Sequence, residues 1–298
     1  MRLDGIHHIT GITGDGQRCL DFYAGILGLP FIGRERDFEA PGSHLIRLGQ
    51  EPGRPGGVLN FIEAPGIGLG RAGNGMVHTL TWTVRFPDAL SYWADRLEHA
   101  GIEAGPVEAN GHGPRLRFSD PEGIAHELVT DVSAGDAGLA IGSATIPPEH
   151  AIVGLLGARA YGRQSVSSAD VLAGRLGLEA TGPDSYAVER ERGRGVFVFD
   201  PPPAERGLVG AGTIHHIAWA CDEGLPAWRQ RVIGMGCRAT PVIDRRHCRS
   251  IYFREPSGVL FEIATRGRDI AEPGPVPAVE DRALSPQVDP RVRAACVG

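Results

Sequence analysis

"GIHHIT" at residues 5–10 returns as "TIHHIAW" at residues 213–219, so the tetrapeptide Ile-His-His-Ile starts at 6 and again at 214. Apolar residues flank each pair in the manner of a strand. The segments downstream of the two pairs are also alike, which makes the doublet a marker of a repeated unit and not an isolated motif. From 6 to 64 the chain reads "IHHITGIT", then "QRCLDFYAGILGL" with apolar residues on a helical face, then "HLIRLGQ" and "GGVLNFIEA". That order is strand, helix, three strands.

The same order is found three more times. Residues 76–130 carry "MVHTLTWTV", "ALSYWADRLEHAGI", "PRLRFSDPEG" and "IAHELVT". Residues 151–200 carry "AIVGLLGARAY", "SSADVLAGRLGLEA" and "GVFVFD", and residues 213–265 carry "TIHHIAWA", "LPAWRQRVIGMGC", "SIYFREPSG" and "VLFEIAT". The expected modules are 1–66, 74–132, 149–202 and 211–266, followed by a proline-rich C-terminal tail at 267–298. Modules two and four share a closing phrase, "RFSDPEG" at 117–123 and "FREPSG" at 253–258, in which proline and glycine suit a tight turn. In both a glutamate stands four residues after the glycine, Glu127 after Gly123 and Glu262 after Gly258.

Composition narrows the class. With 298 residues, 42% hydrophobic and 22% charged, the chain can bury one large core or two ordinary ones. A formal charge of −6 provides no basic face for phosphate, and no apolar run approaches the roughly 20 residues that a bilayer requires. Neither nucleic acid nor a membrane is an expected partner. The N-terminus has no apolar signal core, and five cysteines include no Cys-x-x-Cys pair, so a reduced cytoplasm is expected. There is no lysine, which excludes Schiff-base chemistry and the phosphate-loop lysine.

Over residues 5–265 the repeated β-α-β-β-β order resembles a four-module member of the vicinal-oxygen-chelate superfamily, which includes glyoxalases, antibiotic-binding proteins and ring-cleaving dioxygenases. The resemblance implies an α+β fold of four βαβββ modules forming two open half-barrel domains. Aligning the modules on their turns gives two slots in each, one on the first strand and one four residues after the last glycine. They hold His8 and Phe61, His78 and Glu127, Leu156 and Phe199, and His216 and Glu262. Two histidines and a carboxylate on one face of a metal, with other positions open, suit non-haem iron and dioxygen. His44, His99, His112, His126, His150 and His247 are read as packing or surface groups. If modules one and two share a half-barrel the triad is His8, His78 and Glu127; if modules one and four share it, His8, His216 and Glu262. Spacing leaves both open. Side chains alternate along a strand, so each doublet is expected to offer one ligand and one neighbour facing differently.

The stretch "DRRHCRSIYFREPSGVLFEIAT" at 244–265, together with the doublets, resembles the hydroquinone ring-cleaving dioxygenases. That resemblance implies that modules one and four build the metal-bearing half-barrel and modules two and three the other. It implies His8, His216 and Glu262 as metal ligands, with His7, Thr10, His215, Arg245 and Tyr252 around the substrate. Within that set His215 is the expected base, Tyr252 a hydrogen-bond donor to a developing oxyanion, and Arg245 the holder of the distal hydroxyl. Iron(II) is the expected cofactor, with manganese(II) the alternative. The partners are a small aromatic substrate and O2, and the reading admits a homo-oligomer. Alternatives are a catechol extradiol dioxygenase with the same metal set, a metal-free small-molecule (antibiotic) binding protein, and a glyoxalase-like isomerase, which usually needs a second carboxylate.

Overall fold

The computed structural model describes residues 1–36, 42–49, 57–110, 113–131, 145–162, 166–190, 193–222, 224–244 and 248–266. The tail at 267–298, Arg245, His112 and His247 lie outside the described residues. Strand β1 (Leu3–Thr13) leads into a helical turn, Gly16–Leu20, that widens into a π-helical one, Asp21–Ile26. Asp15 caps its start by accepting from Arg18 N–H at 3.0 Å. Strands β2 (Phe31–Arg36), β3 (His44–Gly49) and β4 (Val58–Glu63) come next.

Strand β5 (Met76–Val84) precedes the helix Asp88–His99, which buries Ala89, Leu90, Trp93 and Leu97 along one face, and then β6 (Glu108–Asn110), β7 (Gly113–Ser119) and β8 (Ala125–Thr130). The third set is β9 (Ile152–Tyr161), the helical stretch Val166–Arg175, β10 (Glu179–Gly182), β11 (Ser185–Arg190) and β12 (Gly193–Asp200). The last set is β13 (Thr213–Cys221), the helix Leu225–Gly234, β14 (Ile243–Asp244), β15 (Arg249–Arg254) and β16 (Leu260–Thr265).

These strands form two curled sheets in a mixed α+β fold, ordered β14-β15-β16-β13-β1-β4-β3-β2 and β10-β11-β12-β9-β5-β8-β7-β6. In the middle of each, two long strands run antiparallel, β1 with β13 and β5 with β9. Beside each long strand lies a parallel partner, β4, β16, β8 or β12, reached by a crossover through helix. The first sheet therefore joins the two ends of the chain. The connecting stretches cross side by side, bridging Leu69 to Ala211 and Arg71 to Leu208. A Cβ on Gly73 would strike the Gly207 backbone, so this crossing requires glycine.

Between the sheets Phe197 of β12 packs edge-on against Phe261 of β16 at 5.2 Å, with Trp219 of β13 beside it at 6.3 Å. Burial of such a ring stabilises the fold by up to about 3 kcal/mol. No helix of the described residues is long and apolar enough to cross a membrane.

The closing phrases act as register setters. Asp120 accepts from the N–H groups of Glu122 at 3.0 Å and Ile124 at 2.7 Å, and Glu255 accepts from Val259 N–H at 3.1 Å. Gly123 and Gly258 both take the left-handed region at φ 102°. Each turn thereby fixes where the last strand begins, and with it the placement of Glu127 or Glu262.

Asp120 also ends a buried chain of hydrogen bonds. Trp82 Nε1, which can only donate, lies 3.0 Å from His126 Nδ1, so His126 carries its proton on Nε2 and donates to the Tyr23 hydroxyl at 3.0 Å. Tyr23 donates to Asp120 at 2.9 Å. Burial pushes the His126 pKa down from 6.5 to about 3, and protonation would set two donors against each other. With the folded pKa below the unfolded one, the unfolded chain takes up a proton in that window. The contribution is intact above about pH 6.5 and is lost as pH falls. Urea unfolding from pH 7 to 5 should show a slope smaller by about one proton in His126→Phe than in the parent; equal slopes would mean that His126 titrates alike in both states.

Candidate metal centre

The β1–β13 ladder is centred on Ile9 opposite Ile217, with His8 opposite Ala218 and Thr10 opposite His216. The two histidines are thus diagonal neighbours on one face. Their Nε2 atoms lie 3.2 Å apart although the residues are separated by 208 positions. Two of the ladder's three slips flank this centre: one between Ile6 and His8, where His7 is the extra residue, and one between Thr10 and Gly11, where His215 is. Such bulges re-aim a side chain. His7 Nδ1 consequently lies 2.8 Å from His8 Nδ1, and His215 Nδ1 lies 2.8 Å from His216 Nδ1. The expectation from strand alternation, that the two members of a doublet face differently, is corrected by the bulges.

Glu262 stands on β16 opposite Ala218, in the row of His8. Its Oε2 is 3.2 Å from His8 Nε2 and 2.9 Å from His216 Nε2. The carboxylate is 0% exposed, with His8 at 7% and His216 at 6%. Close as these contacts are, neither Glu262 oxygen has a partner in hydrogen-bond geometry. Burial alone would raise its pKa, but the two imidazoles beside it, His8 first and then His216, outweigh this and hold the carboxyl well below the usual carboxylate range. An ionised, buried carboxylate without hydrogen bonds is costly unless a cation meets it. Two Nε2 atoms and a carboxylate oxygen converge here, and they are the donor set of a divalent transition metal.

The histidine pairs fit that occupant. Only one nitrogen of each Nδ1–Nδ1 contact can hold the hydrogen. If His8 and His216 leave Nε2 bare for a metal, their Nδ1–H groups donate to His7 and His215, which fixes tautomer and ring orientation. Burial, reinforced by the neighbouring His8 charge, pushes the His7 pKa down to about 3 and keeps that ring a neutral acceptor; Arg47 adds to the same effect.

Tyr252 stands on β15 directly opposite Glu262, buried, with its ring edge-on to His216 at 5.3 Å between centroids. Thr10 is buried between His216 on β13 and Asn60 on β4. Two residues of this face were not identified from the sequence: Asn60 and, opposite it on β3, Arg47, both buried. Asn60 faces Thr10 as Glu262 faces Ala218, so Asn60 and not Phe61 is the first module's counterpart of the glutamate. A one-residue slip exchanges the faces of a strand. The strand sequences "VLNFIE" at 58–63 and "LFEIAT" at 260–265 align with Asn60 on Glu262.

The second sheet repeats the geometry without the ligands. Its ladder is centred on Leu80 opposite Ala158, and the bulges that match those at His7 and His215 fall at His78 and Leu156. His78 is therefore the counterpart of His7. The positions of the two converging histidines are occupied by Thr79 and Gly157, and the slot given to Phe199 belongs to Val198, opposite Arg159. Glu127 accepts from Thr81 at 2.9 Å and from Arg115 at 3.2 Å, with Arg159 at 3.9 Å. His78 lies 3.0 Å from Asp200 and stacks on Tyr161. A carboxylate neutralised by arginines has no need of a metal. Among the described residues the converging group is His8, His216 and Glu262.

A model of the Glyoxalase/Bleomycin resistance protein/Dioxygenase superfamily matches residues 5–128. Over 268 residues the chain is 37% identical to "Putative ring-cleaving dioxygenase MhqO" of Bacillus subtilis (strain 168), covering 88% of this chain and 84% of that protein. It is 26% identical over 277 residues to the chlorohydroquinone/hydroquinone 1,2-dioxygenase of Sphingobium indicum, covering 88% and 85%. A solved Bacillus subtilis structure described as a "putative dioxygenase" superposes with a TM-score of 0.78 at 34% identity, over 89% of this chain and 86% of that one. Similarity along nearly the whole length accompanies the paired, curled sheets: the chain belongs to the glyoxalase/bleomycin resistance protein/dioxygenase superfamily.

Proposed function

We propose that this chain is an iron(II)-dependent dioxygenase that opens a dihydroxylated aromatic ring of the hydroquinone type, with manganese(II) as the alternative metal. The observation that carries the reading is the convergence of His8, His216 and a Glu262 whose buried oxygens lack hydrogen bonds. Neutral Asn60 in the place of a second carboxylate disfavours isomerase chemistry. Relatives named as ring-cleaving and hydroquinone dioxygenases support the same reaction class. A divalent iron held by the triad would supply Lewis acidity toward a phenolic oxygen and open positions for ring and dioxygen.

The remaining chemistry belongs to the side chains. Burial of the triad keeps bulk water from the reacting oxygens and strengthens each polar contact there. With Nδ1 accepting from His216, His215 presents Nε2–H outward, so in this tautomer it donates to a substrate oxygen that gains charge. Taking a substrate proton as base requires the His215–His216 contact to break first. Tyr252 is the second donor, Thr10 and His7 orient the bound ring, and Arg245, next in sequence after Asp244 of β14, holds the distal hydroxyl. Thiols at Cys19, Cys221 and Cys237 that are not joined in disulfides support a reducing, cytoplasmic setting.

Protein purified without air should hold about one divalent iron per chain, since one facial set is assembled among the described residues. It should consume oxygen with hydroquinones in preference to catechols. Metal analysis coupled to oxygen uptake across a phenol panel tests this. Two tightly held irons would overturn the single centre, faster turnover of catechols would make it an extradiol enzyme, and phenol binding without oxygen uptake would make it a binding protein.

A further inference from the structure

The part of the triad's sheet face contributed by the first module carries polarity that the triad does not use. Asn60 lies in one cross-strand row with His216 and Thr10, and Arg47 extends that row onto β3. Directly opposed residues project to one face of a sheet, so Arg47 and Asn60 share the face of the converging histidines. Both are 8% exposed. The Asn60 Oδ1 is buried without a hydrogen-bond partner. Arg47 meets Glu35 at 3.6 Å, beyond hydrogen-bond length, across a side chain that is 26% exposed. On the same strand face as Asn60, two residues to either side, Val58 and Ile62 form an apolar wall. Gly33, opposite Arg47 on the edge strand, leaves open space there.

A buried guanidinium whose ion pair with Glu35 is longer than a hydrogen bond can still take a planar anion that its fork grips twice. A buried amide oxygen requires a donor. An apolar wall between them suits the flat face of a ring. The geometry points to a substrate that is an aromatic ring bearing a carboxylate beside its hydroxyls, with Arg47 binding the carboxylate and Asn60 accepting from a ring hydroxyl. This rests on the ring-cleaving reading and narrows it from hydroquinones in general to acidic, hydroxybenzoate-like ones. It also distinguishes the two halves of the wall: Arg47 opposite Asn60 occupies the place that Tyr252 opposite Glu262 holds in the other half.

Equilibrium binding of 3-hydroxybenzoate and its neutral isostere 3-hydroxybenzamide, measured without oxygen on the metal-loaded full chain, tests the assignment without any turnover. The parent should prefer the carboxylate by about 10- to 100-fold, as a charge-assisted pair would confer. Arg47→Met should abolish the preference, and Arg47→Lys, which keeps the charge but not the fork, should retain part of it. No preference in the parent, or a preference that survives in Arg47→Met because the carboxylate binds elsewhere, overturns the proposal. If Arg47→Met does not fold, an undiminished preference in Arg47→Lys overturns it instead. Oxygen uptake with dihydroxylated rings is scored separately, so its absence would refute the ring-cleaving reading while the binding comparison still reports on Arg47.

Discussion

His216→Ala should deprive the chain of its metal and of oxygen uptake, whereas His78→Ala should keep both. Structural sites of four ligands bind zinc with roughly 10–16 kcal/mol, or about 2.5 to 4 kcal/mol for each ligand. Removal of one of three should therefore cost on the order of 10²- to 10³-fold in metal affinity. His78 sits in the other sheet, engaged with Asp200 and Tyr161, where the triad positions are occupied by Thr79 and Gly157. Its loss removes one half-buried polar contact and a stacked ring, a cost of about 1 kcal/mol to stability and none to the centre. Metal content after gel filtration, with a thermal melt on each variant, separates the two effects. Metal loss in His78→Ala with retention in His216→Ala would move the centre to the second sheet.

Tyr252→Phe should retain the metal and slow ring opening by about 10²- to 10⁴-fold, the range of a lost general acid or donor. The substitution deletes one hydroxyl and almost no volume, so the edge-on contact with His216 and the pairing opposite Glu262 persist. A decrease in kcat at constant iron content assigns the hydroxyl to the chemistry. Unchanged turnover would make Tyr252 a packing residue.

The repeated strand-helix-strand order was readable because it rests on local periodicity, 3.6 residues for a helix and two for a strand. The same holds for the closing turns. Asp120 and Glu255, with Gly123 and Gly258, are local devices whose residue types announce a turn and place a glutamate four residues beyond it. The histidine doublets and Glu262 were accordingly visible as candidate metal ligands, whereas Glu127, which looked equivalent, is engaged by Thr81 and Arg115. Cross-strand row membership was not visible, and with it Asn60 and Arg47 were missed, since neither lies in a motif of its own.

From its own residues the sequence determined the types of element, their order, the turns and the presence of two histidine pairs with a following carboxylate, because each depends on neighbours a few residues away. Only the tertiary structure decided that β1 lies against β13 and not β5. It also decided that bulges at His7 and His215 turn both members of each doublet to one side, and that His78 answers to His7 and not His8. The physical reason is that strand partners are chosen by burial of whole faces across some two hundred residues. A shift of one residue then exchanges every inward side chain for an outward one, and no local pattern records it.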